Sequence, residues 1–174
     1  QSIDVHGQWR GLGDAASTHM TADVKSEDLG DLLQRLAYGG QVRGGEGQLQ
    51  LQAGWDGGPM AFKLANLEGG LDMKLRNGQL LEVEPGAGRV LGLLSVAQLP
   101  RRLLFDFRDL FSKGLAFNQV EGSVRFAGGL ASTDKIAIEA PAADISIRGQ
   151  ADMRSQQFDQ TIEVNPRSGN LLAV

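Results

Sequence analysis

The chain has 174 residues, which is enough for one domain with a buried core or for one section of a longer repetitive protein. Glycine is abundant at 24 residues, proline is sparse at 5, and 22% of the residues are charged, a composition that favours a turn-rich β protein over a helical bundle. The formal charge of −4 comes from mixed acids and bases without the basic run typical of nucleic-acid binding, and the absence of cysteine excludes disulfides and thiolate metal sites.

The first half of the chain is predicted to be strands interrupted by one helix. Apolar and polar residues alternate in SIDVHGQW and THMTADVK, the period of half-buried strands. Four leucines then recur at helical spacing, with Ser26 as the predicted N-cap: Leu29, Leu32, Leu33 and Leu36. QLQLQAGW, MAFKLAN, GGLDMKLRNG and QLLEVE are further predicted strands, with a turn at Asp56–Pro59 and a two-residue hairpin turn at Asn77-Gly78.

The segment from Gly88 to Gly114 breaks this alternation. Ten residues from Val90 to Leu99 carry no charge, about half of the roughly 18 to 20 apolar residues that a membrane span requires. We predict a second helix that packs on the sheet and is ended or kinked by Pro100. Four strands with the turn spacing of an antiparallel meander follow: LAFNQVEGSVRFA, LASTDKIAIEA, ADISIRGQADM and QFDQTIEVN.

A short internal pattern bears on the number of units. Glu-Gly-x-apolar-x-apolar occurs at residues 46–51, 68–73 and 121–126. Two of these copies follow a predicted helix. This indicates two helix-plus-meander units, one spanning residues 1–84 and the other residues 85–174, although such short matches also arise by chance. The chain starts without an initiator Met and stops just after a strand-like segment, so we expect one section, 1–174, of a larger protein.

Candidate catalytic and metal-binding residues are few. His6 and His19 lie on the polar sides of predicted strands, and no third ligand converges with them by spacing, so no metal site is predicted. Glu82 with Glu84 has the spacing typical of a solvated strand face, and the glycine-rich segments match no phosphate-binding motif. The prediction is therefore a protein without catalytic residues or cofactor, and a hydrolase that uses Asp106 or the glutamate pair is one alternative.

One local basic cluster lies beside the uncharged helix, and it comprises Arg101, Arg102 and Arg108. These cations could complement the carboxyl end of a core-facing helix. They could also meet a phospholipid head group beside an acyl-chain surface, or dock a partner. The residues alone leave both interpretations open.

Several blocks in order carry a resemblance to a known family. They are DLGDLLQRLAYGGQVRGGEGQLQLQAGW, GAGRVLGLLS, LPRRL, DFRDLFSKG, EAPA, ISIRGQADM and FDQTIEV. From about Thr21 onward, the sequence resembles the C-terminal AsmA-like region of the YhdP-type envelope proteins of Gram-negative bacteria.

The resemblance implies a fold and a function. The implied fold is mainly β with a few helices: a curved antiparallel β-meander that forms an elongated, half-open groove packed by two amphipathic helices. Members are large inner-membrane-anchored proteins that extend through the periplasm, lack a cofactor and a catalytic residue set, and are implicated in phospholipid transport and outer-membrane homeostasis. This chain would be a periplasmic section without the anchor, in contact with phospholipid acyl chains, neighbouring segments of the same protein and an envelope protein partner.

The strand alternation and the resemblance together predict which residues line the groove. An acyl chain gains roughly 0.8 kcal/mol per buried methylene and needs a continuous apolar strip. The predicted lining residues are Ile3, Val5, Trp9, Leu49, Leu51, Trp55, Phe62, Leu64, Leu71, Met73, Leu75, Val124, Phe126, Ile136, Ile138, Ile145 and Ile147. The same residues could form a closed core, so the alternative is a structural or docking module of the envelope without lipid carriage.

Overall fold

A computed structural model describes residues 1–35, 42–81 and 114–167. These residues form an open antiparallel sheet of eight strands, in which each strand pairs with the next along the chain. The strands are β1 (Ser2–Arg10), β2 (Ser17–Ser26), β3 (Val42–Asp56), β4 (Glu68–Leu80), β5 (Leu115–Ala127), β6 (Leu130–Glu139), β7 (Ala143–Asp152) and β8 (Gln157–Pro166). The predicted meander is thereby confirmed, and β1 and β8 form the edges of the described sheet.

The described part of the chain has one α-helix, α1 (Leu29–Arg35), between β2 and β3. Its first turn is capped by Asp28, whose Oδ1 accepts the Asp31 N–H at 2.9 Å. The predicted cap, Ser26, is wrong by two residues, because Ser26 still belongs to β2 and its hydroxyl accepts the Asp28 N–H. Leu29 and Leu32 are buried in the main core of the sheet, so α1 covers part of its apolar side.

Two predicted elements of the first half of the chain are wrong. Asn77-Gly78 lies inside β4 rather than at a hairpin turn, although Asn77 does have the left-handed backbone that such a turn needs, with φ of 52°. MAFKLAN is not a strand: the connection from β3 to β4 contains two 3₁₀ turns, Pro59–Ala61 and Leu64–Asn66. Proline at the start of the first turn fixes a helical φ and removes a donor, which disfavours strand pairing there.

The alternation of buried and exposed residues changes phase within the sheet. In β5, Phe117 and Val120 are three residues apart, yet both are buried in the same core. The neighbouring strands β3 and β4 change the phase of their alternation at the same level. There, Gly45 of β3 and Asn77 of β4 lie level with Asn118 of β5 and have positive φ angles of 85° and 52°. Because adjacent strands switch together, their apolar side chains stay on one side of the sheet.

The opposite side of the sheet is polar and carries cross-strand ion pairs. Lys74 of β4 lies directly opposite Glu121 of β5, and its Nζ is 3.0 Å from the Glu121 carboxylate. The hydrogen bond and the charge of Lys74 hold the pKa of Glu121 below its ordinary value.

This lowered pKa predicts a pH-dependent effect of Glu121→Gln. A carboxyl with a depressed folded-state pKa contributes stability above its ordinary pKa, and that stability is lost as pH falls through the lowered value. We expect a small decrease in Tm at pH 7, because both side chains are exposed, and no decrease once the pH is below the lowered pKa. Thermal unfolding at pH 7 and at successively lower pH values checks this. A decrease that persisted unchanged at acid pH would contradict an origin in the ion pair.

Candidate functional site

The strand register brings apolar residues into rows that run across the strands. One row crosses all eight strands and consists of large apolar side chains except at one glycine, Gly122. Its members are Ile3, Val24, Leu49, Met73, Gly122, Ile136, Ile147 and Ile162. A parallel row contains Leu75, Val120, Ile138, Ile145 and Val164. Directly paired residues of an antiparallel sheet point to the same side, so these rows form one continuous apolar face.

The apolar face is most deeply buried over β5–β7 and becomes more exposed towards both edge strands, β1 and β8. Over β5, β6 and β7 its side chains are buried, as for Ile138 at 4% exposure and Ile147 at 3%, except for the half-buried Phe126 near the end of β5. Over β2, β3 and β4 its central side chains are half-buried, as for Leu51 and Met73, whereas Ala53, Trp55 and Leu75 on the same strands are buried. At the edge strand β1, Ile3 is 47% exposed. We refer to the apolar face of β1–β4 as the open half and to that of β5–β7 as the closed half.

All but two of the predicted lining residues lie on this apolar face. Phe62 and Leu64 are the two others, and they belong to the connection between β3 and β4. Phe62 nevertheless joins the end of the apolar face, because its ring packs edge-on against Trp55 with 5.3 Å between ring centroids. Whether these residues touch lipid stays a prediction.

The predicted lining residues differ in their exposure. Buried members are Trp55, Leu75, Val124, Ile136, Ile138, Ile145 and Ile147. Half-buried members are Leu49, Leu51, Leu71, Met73 and Phe126. Exposed members are Ile3, Val5, Trp9, Phe62 and Leu64. An apolar ligand would therefore find contact area on the open half, whereas the closed half already has the burial of a protein core.

The two candidate histidines lie apart from any metal-binding cluster in the described ranges. His6 and His19 are exposed on the polar side of β1 and β2. Among residues 1–35, 42–81 and 114–167, no three histidines or carboxylates converge in a way that could hold a metal ion.

Several sequence predictions fall outside the described residues. They are the helix Val90–Leu99, the basic cluster Arg101, Arg102 and Arg108, the carboxylates Glu82, Glu84 and Asp106, and the helical residue Leu36. The head-group or docking role of the arginines stays a prediction.

Three apolar residues escaped the sequence analysis, one in the core of the sheet and two in its loops. Phe117 is 2% exposed and lies on Gly78, where an added Cβ would sit 2.5 Å from the ring. The phase change hid its role, because strict alternation from Val120 assigns Phe117 to the polar side. Leu12 and Met60 lie in loops, where apolar residues show no periodic pattern. Only their exposed fractions, 82% and 96%, identify them.

An open antiparallel sheet with one continuous apolar face and one polar face defines a class of β-groove protein. The chain belongs to the YhdP protein family, whose sequence profile matches residues 1–174. It is 25% identical over 165 residues to the intermembrane phospholipid transporter YhdP of Escherichia coli strain K12. The match covers 94% of this chain and 13% of that relative.

No solved structure matches the chain. Within the described residues, no helix has the length and apolar character needed to cross a membrane.

Proposed function

We propose that the open half of the sheet holds phospholipid acyl chains and that the chain is a non-enzymatic groove section of a protein that moves phospholipid between membranes. The observation that carries the proposal is the apolar row across all eight strands, half-exposed over β2–β4. The printed name of the E. coli relative, an intermembrane phospholipid transporter, supports the ligand class. Because the name of that relative describes transport between membranes, we also propose that this chain lies in the periplasm.

The dimensions of the sheet fit an extended ligand. Neighbouring strands lie roughly 4.8 Å apart, so the three intervals from β1 to β4 span about 14 Å and the seven intervals of the whole sheet about 34 Å. Each methylene that leaves water gains roughly 0.8 kcal/mol. An acyl chain that lies across the strands would contact a new apolar row member at every strand, without a requirement for hydrogen bonds.

The first test is native mass spectrometry with lipid extraction on the chain purified from a Gram-negative periplasm. We expect bound phospholipid in the unmodified chain and its loss in Leu51→Asp, because a carboxylate on the open half must either lose its hydration or keep water in the groove. Val5→Asp provides a second variant in the same cross-strand row, at a position that is 54% exposed and not needed for the core.

Gln52→Asp is the matched control for this test. Gln52 is adjacent to Leu51 in β3 but points to the polar face, where it is exposed. We expect Gln52→Asp to retain the lipid of the unmodified chain. A folded, lipid-free unmodified chain would overturn the proposal and favour the docking module, as would lipid retained in both Leu51→Asp and Val5→Asp with native circular dichroism.

The edge strand β1 supports a further part of the proposal, pairing with a neighbouring segment of the same protein. All nine residues of β1 are exposed, and only its β2 side is paired in the described sheet. An unpaired edge with alternating apolar residues is a template for another strand. The chain spans 13% of the E. coli relative, so such segments exist in a protein of that size.

A further inference from the structure

Gln160 places a carboxamide on the apolar side of the edge strand β8. It lies between Phe158 and Ile162 in the alternation of that strand, and all three residues are half-buried. The Gln160 Nε2 is shielded from solvent and has no hydrogen-bond partner in the part of the chain that the structure describes. A buried amide without a partner has given up its hydrogen bonds to water, so native proteins rarely retain one. This amide therefore points to a partner outside the described sheet.

The backbone of β8 offers hydrogen bonds to one more strand. Only its β7 side is paired in the described sheet. The Asp159 carbonyl points to β7, because its oxygen lies next to the position of an added Cβ at Gly149. Alternate residues of an antiparallel strand direct their N–H and C=O groups to opposite edges, so those of Phe158, Gln160 and Ile162 point outwards. An unpaired edge of this kind is a template for another strand.

The carboxamide gains a partner when β8 pairs antiparallel with β8 of a second copy of the chain. If Gln160 lies on the two-fold axis, it is directly opposite the same residue of the second copy, and each amide N–H donates to the carbonyl oxygen of the other amide. Glutamine side chains of identical paired strands bond to each other in this way. The terminal torsion of glutamine has broad minima, so the amide turns towards the edge at little cost.

The charges of β8 select this register. Its charged residues are Asp159 and Glu163, and with Gln160 on the axis they face Thr161 and Gln157, which both carry a hydrogen-bond donor. A shift by two residues would place Asp159 opposite itself or opposite Glu163, and like charges directly opposite each other destabilise a sheet. A shift by four residues would place the amide opposite an apolar residue or beyond the end of the strand. One register therefore pairs the amide and avoids the repulsion.

The same register continues the apolar face into the second copy. Phe158 then lies opposite Ile162 of the second copy, and both side chains belong to the apolar side of β8. An axis perpendicular to the sheet leaves the apolar sides of the two copies facing the same way. The row that ends at Ile162 is thereby extended beyond the edge strand.

From these observations we propose that β8 is a self-association edge, on which two copies of the chain pair antiparallel with Gln160 at the two-fold axis. Two edge strands bury little surface, so the dimer is of the weak, reversible kind. The inference goes beyond the proposed function, because the pairing does not require lipid. It also leaves β1 available for the neighbouring segment proposed above.

A charge swap at residue 160 tests the pairing. Sedimentation velocity over a concentration series measures the association of the 174-residue chain. We expect the unmodified chain to dimerise, and Gln160→Glu and Gln160→Lys each to weaken the dimer at least about tenfold, because like charges then meet on the axis. An equimolar mixture of these two variants should recover the association, since a carboxylate then faces an ammonium group. Recovery on mixing is specific to a residue that faces its own counterpart.

Two further variants separate the pairing from effects on folding. Gln52→Glu is the matched control, because it makes the same change at an exposed residue on the polar face of the interior strand β3, and we expect it to associate like the unmodified chain. Thr161→Glu lies opposite Arg148 within the chain, which favours the fold, but faces Asp159 of the second copy. We therefore expect it to retain its circular dichroism and to dimerise more weakly.

Three results would overturn the self-association proposal. One is an unmodified chain that stays monomeric over the whole concentration series. Another is a dimer of Gln160→Glu or Thr161→Glu that is as tight as that of Gln52→Glu. A third is a mixture of Gln160→Glu and Gln160→Lys that associates no better than either variant alone, which would assign the carboxamide to a different partner strand. Lipid content is measured separately by mass spectrometry, so self-association and groove binding can fail independently.

Discussion

Replacing Phe117 by alanine is expected to lower the free energy of unfolding by about 3–5 kcal/mol, the range for removal of a fully buried phenylalanine ring. Phe117 is 2% exposed and packs in the main core, with its ring on Gly78 of the neighbouring strand. The loss of the ring leaves a cavity at the level where β3, β4 and β5 change phase together. The shared phase change at that level keeps the apolar side chains on one side of the sheet. We therefore expect Phe117→Ala to destabilise the whole sheet and not β5 alone.

Chemical denaturation of Phe117→Ala and Phe126→Ala checks this expectation. Phe126 is the matched control, because it lies on the same strand and the same face but is only half-buried. We expect a clearly smaller loss for Phe126→Ala, since less apolar surface is returned to water and an open cavity can fill with solvent. Equal losses for the two variants would mean that the level of Phe117 has no special role in the core.

The strands were predictable because one face of the sheet is polar and exposed to solvent. In β1 and β2, and again in β7 and β8, a polar residue follows each apolar one, and this period of two is visible without knowledge of the partner strands. The meander followed from short connections between these runs. Helix α1 was predictable for a similar reason, since its leucines recur at helical spacing.

The errors occur where a backbone feature overrides the period. Asn77-Gly78 has the composition of a hairpin turn, but its left-handed residue serves a change of phase in the middle of a 13-residue strand. That role depends on the alignment of β4 with its neighbouring strands, and a local sequence pattern contains no information about this alignment. The predicted MAFKLAN strand failed because Pro59 and the preceding glycines favour 3₁₀ turns over pairing.

The composition of the candidate site was predictable, but its openness was not. Period and register suffice to place Leu51 and Met73 on the same face as Ile138 and Ile147. The difference between them, half-buried in the first pair and 3–4% exposed in the second, depends on what packs above each strand. Such contacts join residues far apart in the chain, so alternation alone could not separate an open strip from a closed core.

A glycine pair at the start of β4 gives the second large effect. Gly69 has φ of 134°, and an added Cβ would sit 2.0 Å from the carbonyl oxygen of Gln52 in the neighbouring strand. Both the conformation and the contact exclude a side chain, since this backbone region is used almost only by glycine. We expect Gly69→Ala to cost about 3 kcal/mol, which lowers Tm by about 6–12 °C for a chain of this size.

Gly70→Ala is the matched control for Gly69→Ala, because it makes the same change one residue later. An added Cβ at Gly70 has its nearest neighbour at 3.4 Å, the Val124 carbonyl oxygen, which is an ordinary contact. We expect a change within about 1 kcal/mol, since alanine also restricts the unfolded chain. Calorimetric Tm values decide the comparison, and a Gly69→Ala variant as stable as Gly70→Ala would show that β4 can shift away from β3. Such a shift would widen the open half of the apolar face at the strand that carries Leu71 and Met73, so the same pair of variants also measures how firmly the geometry of the groove is held.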